Sequence, residues 1–355
     1  MSNQKHYRVG ISIGDVNGIG PEVVLKSLRN KDLFQFVTPV IFASENVMSF
    51  YNKHLSLNLN IQYVKSEDQI QQGKINVVEV FKEPFEVEFG KSSTKAGSLA
   101  FASLEAAAKA VKNKQVDVLV TAPINKENIQ SDTFHFRGHT EYLEDLWGGK
   151  SLMFMIHPQL KVGLVTNHLS IKEVGGGIDA EKIILKTKVI EKSLREDFAI
   201  RKPKIAILAL NPHAGDGGLI GEEEKKIIYP AIEKLWEEKI LAFGPFSADS
   251  FFTYDSYSKY DAVLCMYHDQ GLIPFKTITF NQGVNYTAGL DFVRTSPDHG
   301  VGYNIAGENL ASSESFSLAI SSAVEILETR NQEAEYRENF LAITPEKKPI
   351  RKGRE

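Results

Sequence analysis

The chain has 355 residues, which is enough for about two domains or for one large α/β unit. It carries 41 Lys and Arg residues against 45 Asp and Glu residues, a formal charge of −4, and this balance argues against a general nucleic-acid binder. With 42% hydrophobic and 24% charged residues, the composition is that of a globular protein and argues against a disordered chain.

The only cysteine is Cys265, which excludes a disulfide within the chain and any zinc or iron–sulfur site built from several cysteines of one chain. The first residues lack the apolar stretch of a signal peptide. No run reaches the roughly 18 apolar residues of a membrane span. We therefore expect a cytoplasmic protein that binds neither membranes nor nucleic acid.

Short β-rich runs alternate with helical patterns along most of the chain, which predicts an α/β fold with a largely parallel sheet and helices on both sides. Runs 152–158 and 160–167 are close enough to form a hairpin, and 261–267 is the last clear buried strand. The predicted strands are 8–14, 37–44, 75–80, 117–123, 152–158, 160–167, 204–211 and 261–267. The predicted helices are 21–30, 94–114, 178–198, 222–239 and 314–330.

Three histidines come within three residues of the end of an apolar, strand-like run. They are His168, after VGLVT, His213, after IAILAL, and His268, after DAVLCMY. Residues just past the carboxyl ends of parallel strands line the ligand crevice of an open α/β sheet. Three imidazoles there would suit Zn²⁺ or a similar divalent ion with a coordination position left for substrate. The alternative is three unrelated loop residues, but their shared position favours a metal site.

A glycine-rich segment, GDVNGIGPE at 14–22, joins the first strand to the first helix. It lacks the third glycine of the dinucleotide fingerprint G-x-G-x-x-G, and the chain has no Walker A motif. Two interpretations remain equal at this point. The segment is either a tight turn or a place where backbone approaches another group closely.

Polar and cationic residues later in the chain could bind an anion. Lys276, Asn285 and Arg294 could hold a phosphate or carboxylate, with a surface charge pair as the alternative.

Thr140, in G-H-T-E, could cap a helix, bind a ligand or do both. The segment SPDHGVGYNIAGE at 296–308 lacks periodicity, and its length favours a functional loop, such as one around adenine and ribose, over a plain connector.

Taken together, these segments resemble the 4-hydroxythreonine-4-phosphate dehydrogenase family of pyridoxal phosphate (pyridoxine) biosynthesis. Each motif alone is weak evidence for the family. The ordered set, which covers most of the chain, is highly specific. The motifs are GDVNGIGPE (14–22), TAPINK (121–126), GHTE (138–141), TNH (166–168), NPHAGDGG (211–218), GPFSADSFF (244–252), YHDQGL (267–272), GVN (283–285), RTSPDHG (294–300) and IAG (305–307).

The resemblance implies a two-lobed isocitrate/isopropylmalate dehydrogenase-like fold without the Rossmann fingerprint. The expected division is lobe A at about 1–130 plus 245–335, lobe B at about 131–244, and a charged, mobile tail at 336–355. It also implies a homodimer with the active site in a cleft at the interface. His168, His213 and His268 would then be the metal ligands, one of them contributed by the partner subunit.

The resemblance further implies roles for the remaining site residues. The phosphorylated substrate would be bound by His139, Thr140, Lys276, Asn285 and Arg294. The loop for NAD, or NADP, would comprise Asp298, His299, Gly300, Ile305, Ala306 and Gly307. Zinc is the favoured metal, with Co²⁺, Mg²⁺ or Mn²⁺ as alternatives.

The implied reaction is a metal-dependent oxidation of 4-phosphohydroxy-L-threonine to a β-keto acid, which loses CO₂ to give 3-amino-2-oxopropyl phosphate. The residue that takes the hydroxyl proton is left open, with Asp249 and Asp269 as candidates and Lys276 as a further catalytic group. Alternatives are oxidation of 4-phospho-D-threonate, 4-phospho-D-erythronate or a dihydrodiol carboxylate, hydrolysis at a His₃ metal site, and a catalytically silent metabolite-binding protein.

Overall fold

The structure is a computed structural model that describes residues 5–280 and 282–339. The described residues form a twelve-stranded sheet flanked by helices. The strands are β1 (Tyr7–Ser12), β2 (Val37–Ala43), β3 (Ile61–Val64), β4 (Ile75–Glu79), β5 (Val118–Thr121), β6 (Gly149–His157), β7 (Leu160–Leu164), β8 (Lys204–Leu208), β9 (Leu241–Phe246), β10 (Ala262–Cys265), β11 (Val284–Leu290) and β12 (Arg294–Pro297). The predicted α/β class is confirmed.

The helices lie mostly between successive strands, as a sheet with many parallel pairs requires. They are α1 (Gly20–Ser27), α2 (Glu45–His54), α3 (Thr94–Lys112), α4 (His139–Trp147), α5 (Ile171–Gly177), α6 (Ala180–Glu196), α7 (Tyr229–Glu237), α8 (Ala248–Phe251), α9 (Tyr254–Tyr257), α10 (His268–Thr279) and α11 (Glu314–Glu338). A single π-helical turn, Glu224–Ile228, leads into α7.

The strand order across the sheet is β3-β4-β2-β1-β5-β12-β11-β6-β7-β10-β8-β9. Neighbouring strands are parallel except in the three pairs β12–β11, β11–β6 and β6–β7. The antiparallel strands therefore lie at the centre and join two parallel blocks. Strands β7, β10 and β8 are parallel neighbours, so their carboxyl ends lie at one edge. The predicted hairpin is confirmed as β6 and β7.

The prediction that 261–267 is the last buried strand is wrong, because β11 and β12 follow it and lie mid-sheet. Strand β11, VNYTAGL, has no continuous apolar run. Its two sides differ in chemistry. Asn285 and Thr287 point to the face that carries α4, whereas Tyr286 packs toward α6 and α11 on the other face.

The division into two lobes stays a prediction. Strand β10, within the 245–335 segment assigned to lobe A, pairs with β7 and β8 of the segment assigned to lobe B. Helix α11 continues to Glu338, beyond the predicted end at 330. The remainder of the predicted tail, from 340 onward, lies outside the described residues. Within the described ranges, no helix is both long and apolar enough to span a membrane.

Candidate active site

A cavity of about 140 Å³ lies beside the central strands, on the face that carries α4. An adjoining cavity of about 220 Å³ shares several of its lining residues, including Arg137, Glu141 and His168. Four of the five predicted substrate-binding residues line the first cavity, namely His139, Thr140, Asn285 and Arg294. The structure thus brings together residues from α4, β11 and β12 that are far apart in the sequence.

Arg294 is the first residue of β12 and is only 2% exposed. Its Nε and Nη2 donate to Thr121 Oγ1 at 3.1 and 2.5 Å, and its Nη1 donates to Thr287 Oγ1 at 3.1 Å. Burial lowers the pKa of Arg294 to about 9, an effect that Glu141 partly offsets, so the guanidinium stays charged at neutral pH. Among the described residues, no carboxylate lies within salt-bridge distance of it.

The cavity is electropositive. Lys126, Arg137 and Arg294 line it together with a single carboxylate, Glu141. Burying a cation without a counter-ion costs free energy, and an anionic ligand that binds beside it reduces that cost. The lining therefore suits a phosphate or carboxylate ligand.

His139 opens α4, directly after the extended Gly138. Its enclosed Nε2 has no hydrogen-bond partner among the described residues. Burial, followed by the charges of Arg294 and Lys126, lowers the pKa of His139 well below its usual value. Asn285 Oδ1 is likewise enclosed and unpartnered. These two atoms are free to bond a ligand. Thr140 makes no capping bond, so the alternative that it caps this helix is wrong.

The three predicted metal ligands all follow strands that end at one edge, as expected. The rings of His168 and His268 have centroids 5.7 Å apart. His268 Nδ1 lies 2.7 Å from Asp269 Oδ1, an arrangement that orients an imidazole and leaves Nε2 for a ligand. Within the part of the chain that the structure describes, no group of three or more His, Cys, Asp or Glu residues is close enough to hold a metal ion.

His213 lies on a separate turn, where it and the four following residues all have positive φ. This turn packs against α8, the helix that carries Asp249, and the hydrogen bond from Ser247 is the main cause of the low pKa of the Asp249 carboxyl. The structure thus places His168 with His268 and places His213 with Asp249. The assignment of all three histidines to one metal stays a prediction.

Lys276 does not line the cavity within one chain. Its Nζ donates to the backbone carbonyl of Asp298 at 2.7 Å. It therefore contacts the predicted cofactor loop.

The predicted cofactor loop at 298–307 packs against the glycine-rich segment at 14–22. Tyr303 donates to Asp15 Oδ2 at 2.7 Å. A Cβ on Gly18 would lie 2.3 Å from Val301 Cγ1, so glycine is needed for this close approach. Asp298 Oδ2 and His299 Nε2 are enclosed and unpartnered within the described residues. The loop thus presents an acceptor and an imidazole nitrogen that a nucleotide could bond.

Sequence reasoning assigned no role to three charged residues of the cavity, Lys126, Arg137 and Glu141. Lys126 ends the TAPINK motif just after β5, so the strand-end argument applied to the histidines would have found it. Arg137 and Glu141 flank His139 and Thr140, and no periodic pattern marks them.

The chain is similar to known proteins over most of its length. The model of the family "pyridoxal phosphate biosynthetic protein PdxA" matches residues 35–323. A 4-hydroxythreonine-4-phosphate dehydrogenase of Bacteroides thetaiotaomicron is 43% identical over 340 residues, covering 95% of this chain and 93% of the relative. A protein of Oceanobacillus iheyensis assigned as a D-threonate 4-phosphate dehydrogenase is 34% identical, covering 91% of this chain and 98% of the relative.

A crystal structure of 4-hydroxythreonine-4-phosphate dehydrogenase from Klebsiella pneumoniae superposes with a TM-score of 0.78. It is 32% identical in sequence, and the match covers 92% of this chain and 99% of that one. Sequence and fold therefore agree over nearly the whole length of both proteins. The chain belongs to the PdxA family of pyridoxal phosphate biosynthetic proteins.

Proposed function

We propose that this protein oxidises 4-phosphohydroxy-L-threonine with NAD⁺, or NADP⁺, in pyridoxal phosphate biosynthesis. The observation that carries the proposal is the buried, charged Arg294, which lines an electropositive cavity and, among the described residues, has only threonine hydroxyls as side-chain partners. Such a group is suited to the phosphate of the substrate, because a guanidinium binds phosphate by paired, charge-assisted hydrogen bonds. The names of the relatives from Bacteroides and Klebsiella support the same activity.

In this proposal the chain's own residues bind and orient the substrate. Arg294 and Lys126 attract its anionic groups, whereas the unpartnered Nε2 of His139 and Oδ1 of Asn285 bond its polar atoms. Binding energy from the remote phosphate would then position the secondary hydroxyl for reaction. The carbon that bears this hydroxyl would give up a hydride to the nicotinamide while the hydroxyl gives up its proton, and the resulting β-keto acid would lose CO₂ and take up a proton to give 3-amino-2-oxopropyl phosphate.

The residues present fit a divalent cation, with zinc favoured, and a nicotinamide nucleotide. His168 and His268 are neighbouring imidazoles, and Asp269 orients one of them. We propose that His213 completes the site from the second subunit of a homodimer. Asp298 and His299 would bond the nucleotide. Bound there, the cation would polarise the hydroxyl and NAD⁺ would accept the hydride.

Asp249 and Asp269 are the candidate acceptors of the hydroxyl proton, and Lys276 is a further catalytic group. These three residues have different hydrogen-bond partners. Asp269 is bonded to His268, and Lys276 to the carbonyl of Asp298, whereas Asp249 is exposed and bonded to Ser247 beside His213. If His213 acts across the dimer interface, Asp249 would accompany it into the site.

A second candidate substrate is 4-phospho-D-threonate. The observation in its favour is the 34% identical relative from Oceanobacillus assigned to that activity. The cavity residues that bind phosphate would serve both substrates, since the two differ by an amino group in place of a hydroxyl.

The test is NADH formation by metal-replete protein with each of the two substrates, repeated with a chelator. We expect turnover with 4-phosphohydroxy-L-threonine that is lost with chelator and restored by a divalent ion. Preference for 4-phospho-D-threonate would replace the first assignment by the second. Absence of NADH from either substrate would contradict both.

A further inference from the structure

Glu224 is a buried carboxylate outside the cavity. It opens the π-helical turn Glu224–Ile228 and is 1% exposed. Among the described residues, no Lys, Arg or His lies within salt-bridge distance of it. A buried charge without a counter-ion is kept only where hydrogen bonds satisfy it. The groups that bond Glu224 therefore indicate what it is for.

Those groups belong to the segment that leaves β8. Glu224 Oε1 accepts from the backbone N–H of Leu210 at 2.9 Å and of Asn211 at 2.8 Å. Its Oε2 accepts from Nδ2 of Asn211 at 3.0 Å. The carboxylate thus fixes both the backbone and a side chain at the point where the chain turns toward His213.

The turn that follows has an unusual backbone. All five residues from 213 to 217 have φ between 43° and 78°, although His213, Ala214 and Asp216 are not glycines. L-residues adopt this region with strain, and a run of them persists only where the surroundings impose it.

Two further contacts tie this turn to the same helical segment. A Cβ on Gly215 would lie 2.6 Å from Glu224 Oε2, so the turn lies directly against the carboxylate. Lys225 also donates to the carbonyl of Gly217. Consecutive residues, Glu224 and Lys225, therefore hold the turn at two points.

We propose that Glu224 is a positioning residue that holds the left-handed turn of residues 213–217, so that the imidazole of His213 is preset to bind the divalent cation. The inference rests on the proposed function, because it assigns Glu224 a role toward the metal site. Positioning groups of this kind typically change metal affinity by about 10- to 100-fold when they are removed.

The experiment compares the full-length wild type with Glu224→Gln, which has nearly the same shape but no charge. Glu222→Gln is the matched control, since Glu222 is an exposed carboxylate paired with Lys226 in the same segment. Co²⁺ affinity is measured by equilibrium dialysis. Amide hydrogen exchange of residues 209–219 is measured on metal-free protein. We expect E224Q to bind Co²⁺ about tenfold or more weakly and to exchange faster in the turn, while E222Q matches wild type.

Equal Co²⁺ affinity in wild type and E224Q would overturn the positioning role while leaving the proposed function intact. A wild type that binds no Co²⁺ would overturn the proposed metal dependence and this role with it. If E224Q does not fold, Asn211→Ala tests the same contact, because it removes the side-chain bond to Glu224 Oε2, together with a bond to Glu223 Oε2 that Glu223→Gln controls for, and it leaves the Glu224 carboxylate in place. Unchanged Co²⁺ affinity in N211A, with unchanged amide exchange, would then contradict the inference.

Discussion

The ammonium nitrogen of Lys126 lies 3.3 Å from Nε2 of His168. Because an ammonium group only donates, Nε2 must accept, and the ring proton of a neutral His168 is then on Nδ1. Burial, followed by the charges of Lys126 and His268, lowers the pKa of His168. The Nε2 lone pair of His168, which could bind a metal ion, therefore points at the ammonium group of Lys126.

This contact predicts opposite effects of one substitution on two ligands. Lys126→Met removes a positive charge next to His168, so affinity for Co²⁺ should increase severalfold. The same change removes a cation from the cavity, so affinity for inorganic phosphate should decrease severalfold. Isothermal titration with each ligand measures both, and Lys65→Met, at an exposed lysine directly after the edge strand β3, is the control. Weaker Co²⁺ binding in K126M would contradict this interpretation.

Arg294→Gln should raise KM for the phosphorylated substrate by about tenfold or more, since a charge-assisted bond to phosphate is lost. The variant should also lose the thermal stabilisation that inorganic phosphate gives to wild type. Differential scanning fluorimetry with and without phosphate measures this second effect. Arg195→Gln, at an exposed position on α6, controls for loss of charge. Equal phosphate protection of R294Q and wild type would show that the cavity does not bind phosphate through this residue.

The low pKa of His139 predicts a dependence of stability on pH. Its folded-state pKa is depressed, so below its unfolded value of about 6.5 the unfolded chain binds a proton that the folded protein does not. The free energy of unfolding should therefore decrease as pH falls from 7.5 to 5.5, with His139 contributing at most about 1.4 kcal/mol per pH unit.

Urea unfolding at several pH values tests this contribution. His139→Gln should make the free energy of unfolding depend less steeply on pH, whatever its effect on stability at pH 7.5. His135→Gln, in an exposed loop, is the matched control for replacing a histidine by glutamine. An unaltered slope in H139Q would exclude the predicted contribution.

The proposed sharing of the metal site predicts complementation between inactive variants. His213→Ala and His168→Ala should each abolish metal binding and turnover. Mixed in equal amounts, unfolded and refolded together, they should regain about a quarter of the wild-type activity, because half of the dimers are mixed and each contains one intact site. No recovery, with subunit exchange shown by tagged chains, would place all three histidines in one subunit or separate His213 from the metal.

The sequence by itself determined the α/β class, the hairpin of β6 and β7, and the position of three histidines at strand ends. These features depend on local periodicity and on the rule that parallel strands share a carboxyl edge. The ordered motifs determined the family. Four of the five predicted substrate-binding residues line one cavity, and the loop at 298–307 contacts the glycine-rich segment.

The tertiary structure alone decided which of these groups meet. The local sequence left Arg294 either as an anion-binding residue or as part of a surface charge pair, and it is buried because β12 lies between β5 and β11 in the sheet. Strand β11 was missed for a related reason, since its apolar pattern is interrupted by Asn285, which lines the cavity, and by Thr287, which accepts a hydrogen bond from Arg294. The backbone around His213 was equally inaccessible, because His213 lies on a turn of five residues with positive φ, and Glu224, 11 positions along the chain, bonds the segment that leads into it. Long-range contacts set burial and pairing, and no local pattern records them.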